Sequence, residues 1–392
     1  MQDTVFDIAV IGGGMAGAAA AANLAPHARV LVLERESLPG YHATGRSAAL
    51  FSAIYGNASI RALTRASRAF FCTPPVGFTE NALISPRGAL YVARADQLDE
   101  LDDFASLPDV VTGTRRVSAS EAQAISPCLR PDHVAAALFE PDAQDLDVHA
   151  LHQGYLRLLR ERGGRLVNHA GVTAVQRQDD AWMITTDAGI FHAKILINAA
   201  GAWVDEIAWL AGAAPIGIQP LRRTAFIVDA PDGSDSDHWP MTIDIGEKFY
   251  LKPDAGRLLL SPADETLSVP CDAWPDDMNI AIAVDRIEQA TTLSITHVHQ
   301  RWAGLRSFVP DRSPVVGYDP EIPGFFWLAA LGGYGIQTAP AMGRVAAALV
   351  LRAPIPADVL ALGLDPSAIS PQRLAIASEE TNSGRLSHPK PI

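Results

Sequence analysis

The apolar positions of this chain fall in short unbroken runs separated by turns of small residues, and the runs gather in three places. Residues 6–11, FDIAVI, form a run apolar on both faces, the pattern of a buried parallel strand. Residues 16–24 are almost all alanine, which predicts a helix whose small side chains pack close to a sheet. A second apolar run at 30–33 ends in Glu34 and completes a strand–helix–strand unit. The alternation breaks off after Leu50. It returns at 147–175, read as helix, turn and strand, and at 194–203, a buried strand ending in small residues. A third return at 324–350 reads as strand, glycine turn and helix, and aims a second helix N-terminus at a ligand.

These patterns predict an α/β domain assembled from residues 1–80, 146–215 and 306–370. The segments 81–145 and 216–305 are expected to form a second domain, an antiparallel sheet with helices. The polar tail at 371–392 is expected to be loosely ordered past Ser378.

A chain of 392 residues with 48% hydrophobic content is long enough for two domains. Its net charge of -13 argues against nucleic acid, since binding phosphates needs a basic face. Cys72, Cys128 and Cys271 are far apart, so neither a disulfide framework nor a metal site is expected. No apolar run approaches the roughly 20 residues that span a bilayer. The N-terminus enters its first strand without a basic leader. A cytoplasmic location is expected, with peripheral attachment at the inner membrane as the alternative.

Gly12, Gly14 and Gly17 supply GxGxxG between the first strand and the alanine helix. The first permits the tight turn, the second a close approach to a pyrophosphate, and the third close helix–strand packing. The uncompensated N–H groups of the helix face the phosphates. Glu34 is placed to accept hydrogen bonds from a ribose, and an acidic residue there disfavours a 2′-phosphate. An NAD enzyme usually keeps its nucleotide domain contiguous. Three pieces with two insertions are the layout of FAD oxidoreductases.

A series of motifs runs in order along the chain: LERE, PGYHATGRSAA, VHALHQGYLR, INAAGAW, QPLRRTAFIV, FYLKPDAG, WAGLRSFVPD and GGYGIQT. With them the chain resembles the FAD-dependent D-amino-acid oxidase and dehydrogenase family, most nearly its bacterial D-arginine dehydrogenase branch. The resemblance implies a two-domain flavoprotein with a discontinuous Rossmann-like domain. It places the segment at 40–49 across the flavin, with Thr44, Gly45, Arg46, Ser47 and Ala48 touching the cofactor. Small residues there permit close approach, and Arg46 offers donors to a phosphate. By the same resemblance Met15, Ala16, Arg35, Val172, Ala200, Gly201, Trp203, Gly332, Gly333, Tyr334, Gly335, Ile336 and Gln337 complete the cofactor site. FAD is expected to be noncovalent, because no cysteine falls on a flavin-facing motif.

The substrate of such an enzyme is an α-amino acid whose carboxylate must be held so that the Cα–H points at flavin N5. Arginine fits that task, because its planar fork pairs a carboxylate bidentately. Arg223 and Arg306 fall on family motifs. Arg222 is the weaker candidate, since neighbours on a strand face opposite sides. Tyr55 and Tyr250 also lie on matching positions and can close the pocket. The carbonyl of Gly333 is implied as the partner of the amine. His42 is read as structural.

The branch resembled carries an acidic residue after its SPR motif, whereas Gly88 and Ala89 stand there in this chain. Leu50 replaces a histidine and Ser52 a threonine. With Met241 and Ile243 nearby, the pocket is expected to be more apolar and less anionic. A neutral or hydrophobic D-amino acid is therefore expected over D-arginine, with a 2-oxo acid and ammonia as products and a quinone or oxygen as electron acceptor. The rival readings are a glycine- or sarcosine-type secondary amine oxidase and a flavin-binding sensor without turnover.

Overall fold

The computed structural model describes residues 5–374, so the tail expectation past Ser378 lies outside the described residues. The strand Val5–Ile11 lies between Val30–Leu33 and Gly189–Asn198 and runs parallel to both. Arg165–Val167 extends the sheet on one side and Phe325–Ala329 on the other, again in parallel. An antiparallel hairpin, Val172–Gln178 with Ala181–Thr186, adds to the first half of Gly189–Asn198.

Both faces of this sheet are covered, which is why its strands read as unbroken apolar runs. Ile8, Val10, Val30 and Val32 pack toward the helices Met15–Leu24, Val148–Glu161 and Gly335–Val350. Ala9, Ile11, Leu31 and Leu33 face the opposite way, toward Trp182, Val204 and Trp327. Ala18 to Ala22 are all buried, because the alanine helix touches sheet and neighbouring helices around its circumference. A Cβ on Gly343 would come within 2.9 Å of the Ala19 carbonyl, a measure of how closely the two helices approach.

The second sheet has nine strands. Gln300–Phe308 pairs with Gln219–Asp229, and Arg257–Ser261, Tyr250–Asp254 and Met241–Asp244 follow. Thr266–Leu267 pairs with Gln219–Asp229, and Ala89–Ala93, Ala136–Glu140 and Arg115–Ser118 complete it. It is antiparallel except at one place, where Met241–Asp244 runs parallel to Ala89–Ala93. Those two strands come from different insertions, so no hairpin forces them to oppose each other. Residue 306 falls inside Gln300–Phe308, which pairs with Gln219–Asp229 from Gln219↔Phe308 to Ile227↔Gln300. The domain boundary expected at 306 thus cuts a continuous strand.

A three-stranded sheet of Leu50–Phe51, Gln144–Leu146 and Ile84–Pro86 ties the end of the 40–49 segment to both ends of the first insertion. Among the described residues no helix is long and apolar enough to cross a membrane, and no group of three His, Cys, Asp or Glu could hold a metal.

Candidate active site

Where the first strand ends, Gly12 takes φ +105°, and a Cβ there would lie 2.5 Å from the Ala199 carbonyl oxygen. A Cβ on Gly17 would meet the Gly12 carbonyl oxygen at 2.0 Å. Turn and helix therefore approach the sheet to a distance only glycine allows. The helix opens at Gly14 without a side-chain N-cap from that residue, and Met15 N–H donates to Thr44 Oγ1 at 3.0 Å.

A cavity of about 610 Å³ starts at this turn and runs to the second sheet. Gly12, Gly14, Met15, Ala16, Glu34, Arg35, Thr44, Arg46, Ser47 and Ala48 line it. So do Val172, Ala200, Gly201, Trp203, Gly332, Gly333, Gly335 and Ile336. A cavity of this size, with a glycine cradle at a helix N-terminus and an acidic residue at the next strand end, fits FAD.

Three expected cofactor residues stand elsewhere. Gly45 turns the crossing segment, its N–H donating to the Gly40 carbonyl at 2.8 Å. Tyr334 is buried with its ring 5.0 Å from Tyr55, and Gln337 lines a second, smaller cavity.

Arg46 lines the large cavity but is not a free phosphate donor. Its guanidinium donates to the carbonyls of Ala273 and Ala303, each at 2.9 Å, and pairs with Asp272. That hydrogen bond holds Asp272 below the usual carboxylate range. Arg46 thus clamps the crossing segment to the second sheet, and its acceptors are backbone carbonyls more than 220 residues away, which no local motif announces.

Glu34 is buried and holds the glycine turn itself. Gly13 N–H donates to its Oε2 and Glu36 N–H to its Oε1, both at 2.9 Å. His152, not singled out in the sequence, bonds the Gly13 carbonyl at 2.8 Å, and burial lowers its pKa. His42 bonds Glu36 at 2.9 Å and packs its ring 4.7 Å from Trp203, while the Arg35 guanidinium lies 4.9 Å over Trp203.

Cys271 lies on none of the flavin-facing motifs, yet it lines the large cavity. Acid denaturation of the FAD-loaded protein is nonetheless expected to release all flavin into the supernatant. A yellow pellet that turns colourless in Cys271→Ser would place a covalent bond at this thiol.

At the far end of the cavity Arg306 and Tyr250 border both the large space and a smaller one of about 80 Å³. Arg306 donates to Tyr55 Oη at 3.2 Å and has no carboxylate within ion-pair distance among the described residues. Burial works against its charge, but Tyr55, Tyr250 and Glu247 outweigh it and raise its pKa above the ordinary arginine value. A Cβ on Gly333 would sit 2.5 Å from the Arg306 Cζ, so a side chain there would push the guanidinium from its place.

Arg223 is brought to the same place but is already engaged. Its Nε donates to the Asp264 carbonyl at 2.9 Å and its Nη2 to Glu265 at 3.1 Å, with Glu247 at 3.8 Å. Arg222 turns away toward Asp264 and Asp276, as strand alternation requires.

Leu50, Ser52, Met241 and Ile243 line the smaller cavity as expected. Ala89 does not. It is fully buried in the middle of the sheet between Glu140 and Met241. Glu247, which the sequence reading did not single out, also lines this cavity, with Arg223 beside it. Glu247 sits at φ +50° in the turn between two strands, a position with no sequence signal of its own. Tyr91 was likewise missed, and it too lines the pocket.

A family model described as FAD dependent oxidoreductase (DAO) matches residues 7–349. Hydrogen cyanide synthase subunit HcnC of Pseudomonas aeruginosa is 25% identical over 283 residues, 69% of this chain and 65% of that protein. The match thus spans less than two thirds of that relative's length. Glycine oxidase of Geobacillus kaustophilus is 24% identical over 365 residues, 88% of this chain and 93% of that enzyme. The crystal structure of that glycine oxidase superposes with a TM-score of 0.78 at 22% identity, over 92% of this chain and 98% of its own. L-proline dehydrogenase from P. horikoshii superposes with a TM-score of 0.78 at 21% identity, over 89% and 94%. At these identities the superpositions speak to the fold.

Proposed function

Because the chain belongs to the DAO family of FAD-dependent oxidoreductases, and so binds FAD, we propose that it oxidatively deaminates D-amino acids, preferring neutral and hydrophobic ones over D-arginine. The observation that carries this reading is Arg306, a guanidinium without a carboxylate partner among the described residues, opening onto a cavity shared with Tyr55 and Tyr250. A buried cation lacking an anion is costly, and a substrate carboxylate supplies the missing charge. Tyr55, holding Arg306 from the side, fixes the fork in place before substrate arrives.

FAD, when bound, supplies the two-electron acceptor, and the protein's share is binding, orientation and electrostatics. Arg306, Tyr55 and Tyr250 hold the carboxylate, and the Gly333 carbonyl takes the amine. Leu50, Met241 and Ile243 surround the side chain with apolar wall. Glu247 is a poor partner for a guanidinium substrate because Arg223 stands 3.8 Å from it. The imine product hydrolyses in water to a 2-oxo acid and ammonia. The electron acceptor would be a quinone, as in a dehydrogenase, or oxygen, as in an oxidase.

A second reading, oxidation of glycine, sarcosine or a related secondary amine, is favoured by the likeness to glycine oxidase along most of the chain. Anaerobic bleaching of the flavin absorbance separates the two. Neutral D-amino acids are expected to bleach it fast and D-arginine slowly. Bleaching by glycine or sarcosine alone would hand the site to the second reading, and faster bleaching by L-amino acids would remove the D assignment.

A further inference from the structure

We infer that Glu140 is a positioning residue for substrate binding: its ionised carboxylate fastens the segment that carries Tyr55 and so keeps the Arg306 fork aimed at the substrate carboxylate. This rests on the reading above, in which Arg306 and Tyr55 bind that carboxylate.

Glu140 ends the strand Ala136–Glu140, is 1% exposed, and lines neither cavity. Among the described residues no lysine or arginine pairs with it, and Arg68 reaches Asp142 instead, at 3.8 Å. A carboxylate buried without a cation is costly, so its two oxygens are held for what they bind. Ser52 Oγ donates to Oε2 at 2.7 Å, and the Ala53 N–H donates to Oε1 at 2.9 Å. Both donors stand just ahead of Tyr55.

The Ser52 N–H is tied as well, donating to Gln337 Oε1 at 3.1 Å. On the far side of Tyr55 the Gly56 carbonyl accepts from Arg61 at 2.6 Å. Asn57 then caps the helix Ala58–Cys72, accepting from the Ile60 N–H at 3.1 Å. Tyr55 therefore sits on a short bridge fastened at both ends, and from it Tyr55 Oη accepts from Arg306 at 3.2 Å. The far end is held by the helix's own first two turns. Glu140 reaches the near end from the second sheet, 87 positions away from Ala53.

Charge decides how firmly Glu140 holds. Hydrogen bonds to an ionised acceptor are about twice as strong as neutral ones. Once protonated, the carboxyl carries its own O–H, which competes with the Ser52 hydroxyl for the same contact. Burial pushes the Glu140 carboxyl up to about 7, against the Ser52 and Ala53 hydrogen bonds that favour its charge. Of the charged groups that face it, Asp142 repels the charge and Arg68 attracts it. Tyr91, its Oη 3.3 Å from Ser52 Oγ, is kept neutral by burial. Folding stability responds in the opposite sense. The folded protein keeps a proton that the unfolded chain releases, so the contribution of Glu140 to stability falls as pH rises from 4.5 through about 7. Substrate capture that improves over that range is therefore not a by-product of a firmer fold.

The test is anaerobic stopped flow on the FAD holoenzymes of wild type, Glu140→Gln and Glu140→Leu, with the neutral D-amino acid that bleaches wild type fastest. Glutamine keeps both contacts without the charge and stands in for the protonated carboxyl. At about pH 8.5 the wild type is expected to bleach several-fold faster than Glu140→Gln at low substrate, and at about pH 6 the two should agree within about twofold. The substrate amine titrates alike in both proteins and drops out of the ratio. Glu140→Leu loses both contacts. At about pH 8.5 it is expected to raise the apparent Kd about tenfold, the worth of one charge-assisted hydrogen bond, with its FAD content and saturating rate kept. A ratio of wild type to Glu140→Gln that is the same at both pH values would overturn the inference, and so would an unchanged Kd in Glu140→Leu. If no amino acid bleaches the flavin, the underlying reading falls and this one with it. The glutamine comparison decides the matter even if Glu140→Leu fails to fold.

Discussion

Arg306→Met is expected to lower kcat/KM for the preferred amino acid by about a thousandfold while the purified protein keeps its FAD. Arg306 meets no carboxylate of the protein among the described residues, and on the proposed function the substrate carboxylate is its anion. Breaking a buried charge pair by removing one partner costs roughly 3–5 kcal/mol, and about 4 kcal/mol corresponds to that factor. Methionine preserves much of the apolar stem and does not fill the space near Gly333, where a Cβ would already lie 2.5 Å from the guanidinium. The flavin spectrum separates loss of substrate affinity from loss of fold. Arg223→Met is expected to be less specific in its effect, because Arg223 already serves Glu265 and the Asp264 carbonyl. A drop of less than about threefold in Arg306→Met, with FAD bound, would show that the carboxylate is anchored elsewhere.

Gly17→Ala is expected to yield a protein that retains little FAD and unfolds at a clearly lower temperature. The added methyl would sit 2.0 Å from the Gly12 carbonyl oxygen and 3.3 Å from Val10 Cγ1. The first of these is backbone, which cannot rotate away, so the helix Met15–Leu24 has to shift off the strand. Overpacking a tight interior costs about 1–3 kcal/mol, and a clash with backbone belongs at the upper end. Moving the helix also moves its N-terminus from the phosphate position, which is why cofactor and stability should fall together. The measurement is the flavin-to-protein absorbance ratio with a thermal melt. Full FAD occupancy with an unchanged Tm would contradict this packing. Gly163 is a control, since no atom lies within 4 Å of a Cβ there. Its φ of +82° still strains any replacement, so only the cofactor readout is compared.

The parallel sheet and its glycine turn were legible in the chain. Ile8 and Val10 point to one apolar cluster and Ala9 and Ile11 to another, so a strand buried on both faces has to read as an unbroken apolar run. Leu50 and Ser52 were legible through the family positions they occupy, and Met241 and Ile243 were expected beside them; all four line the smaller cavity. Ala89 was not a pocket member, although its place in the motif suggested one. Its strand lies between two others and the residue is enclosed on all sides. The 40–49 segment is a mixed case. Thr44 does reach the helix start, while Arg46 turns to Asp272 and the carbonyls of Ala273 and Ala303.

What the sequence by itself determined is whatever follows from sterics within a few residues: the tight turn at Gly12, the close helix at Gly17, and the strand alternation that separates Arg222 from Arg223. Only the tertiary structure decided which charges were already spent and which were free. Arg46, Arg223 and Arg306 are alike as residues, and each could have paired a phosphate or a carboxylate. Their partners lie from about 40 to more than 250 positions away, and several are backbone carbonyls that every residue carries. A hydrogen bond to such a group leaves no trace in the side-chain pattern. That Arg306 has no carboxylate partner among the described residues therefore emerges only once the chain has closed around it.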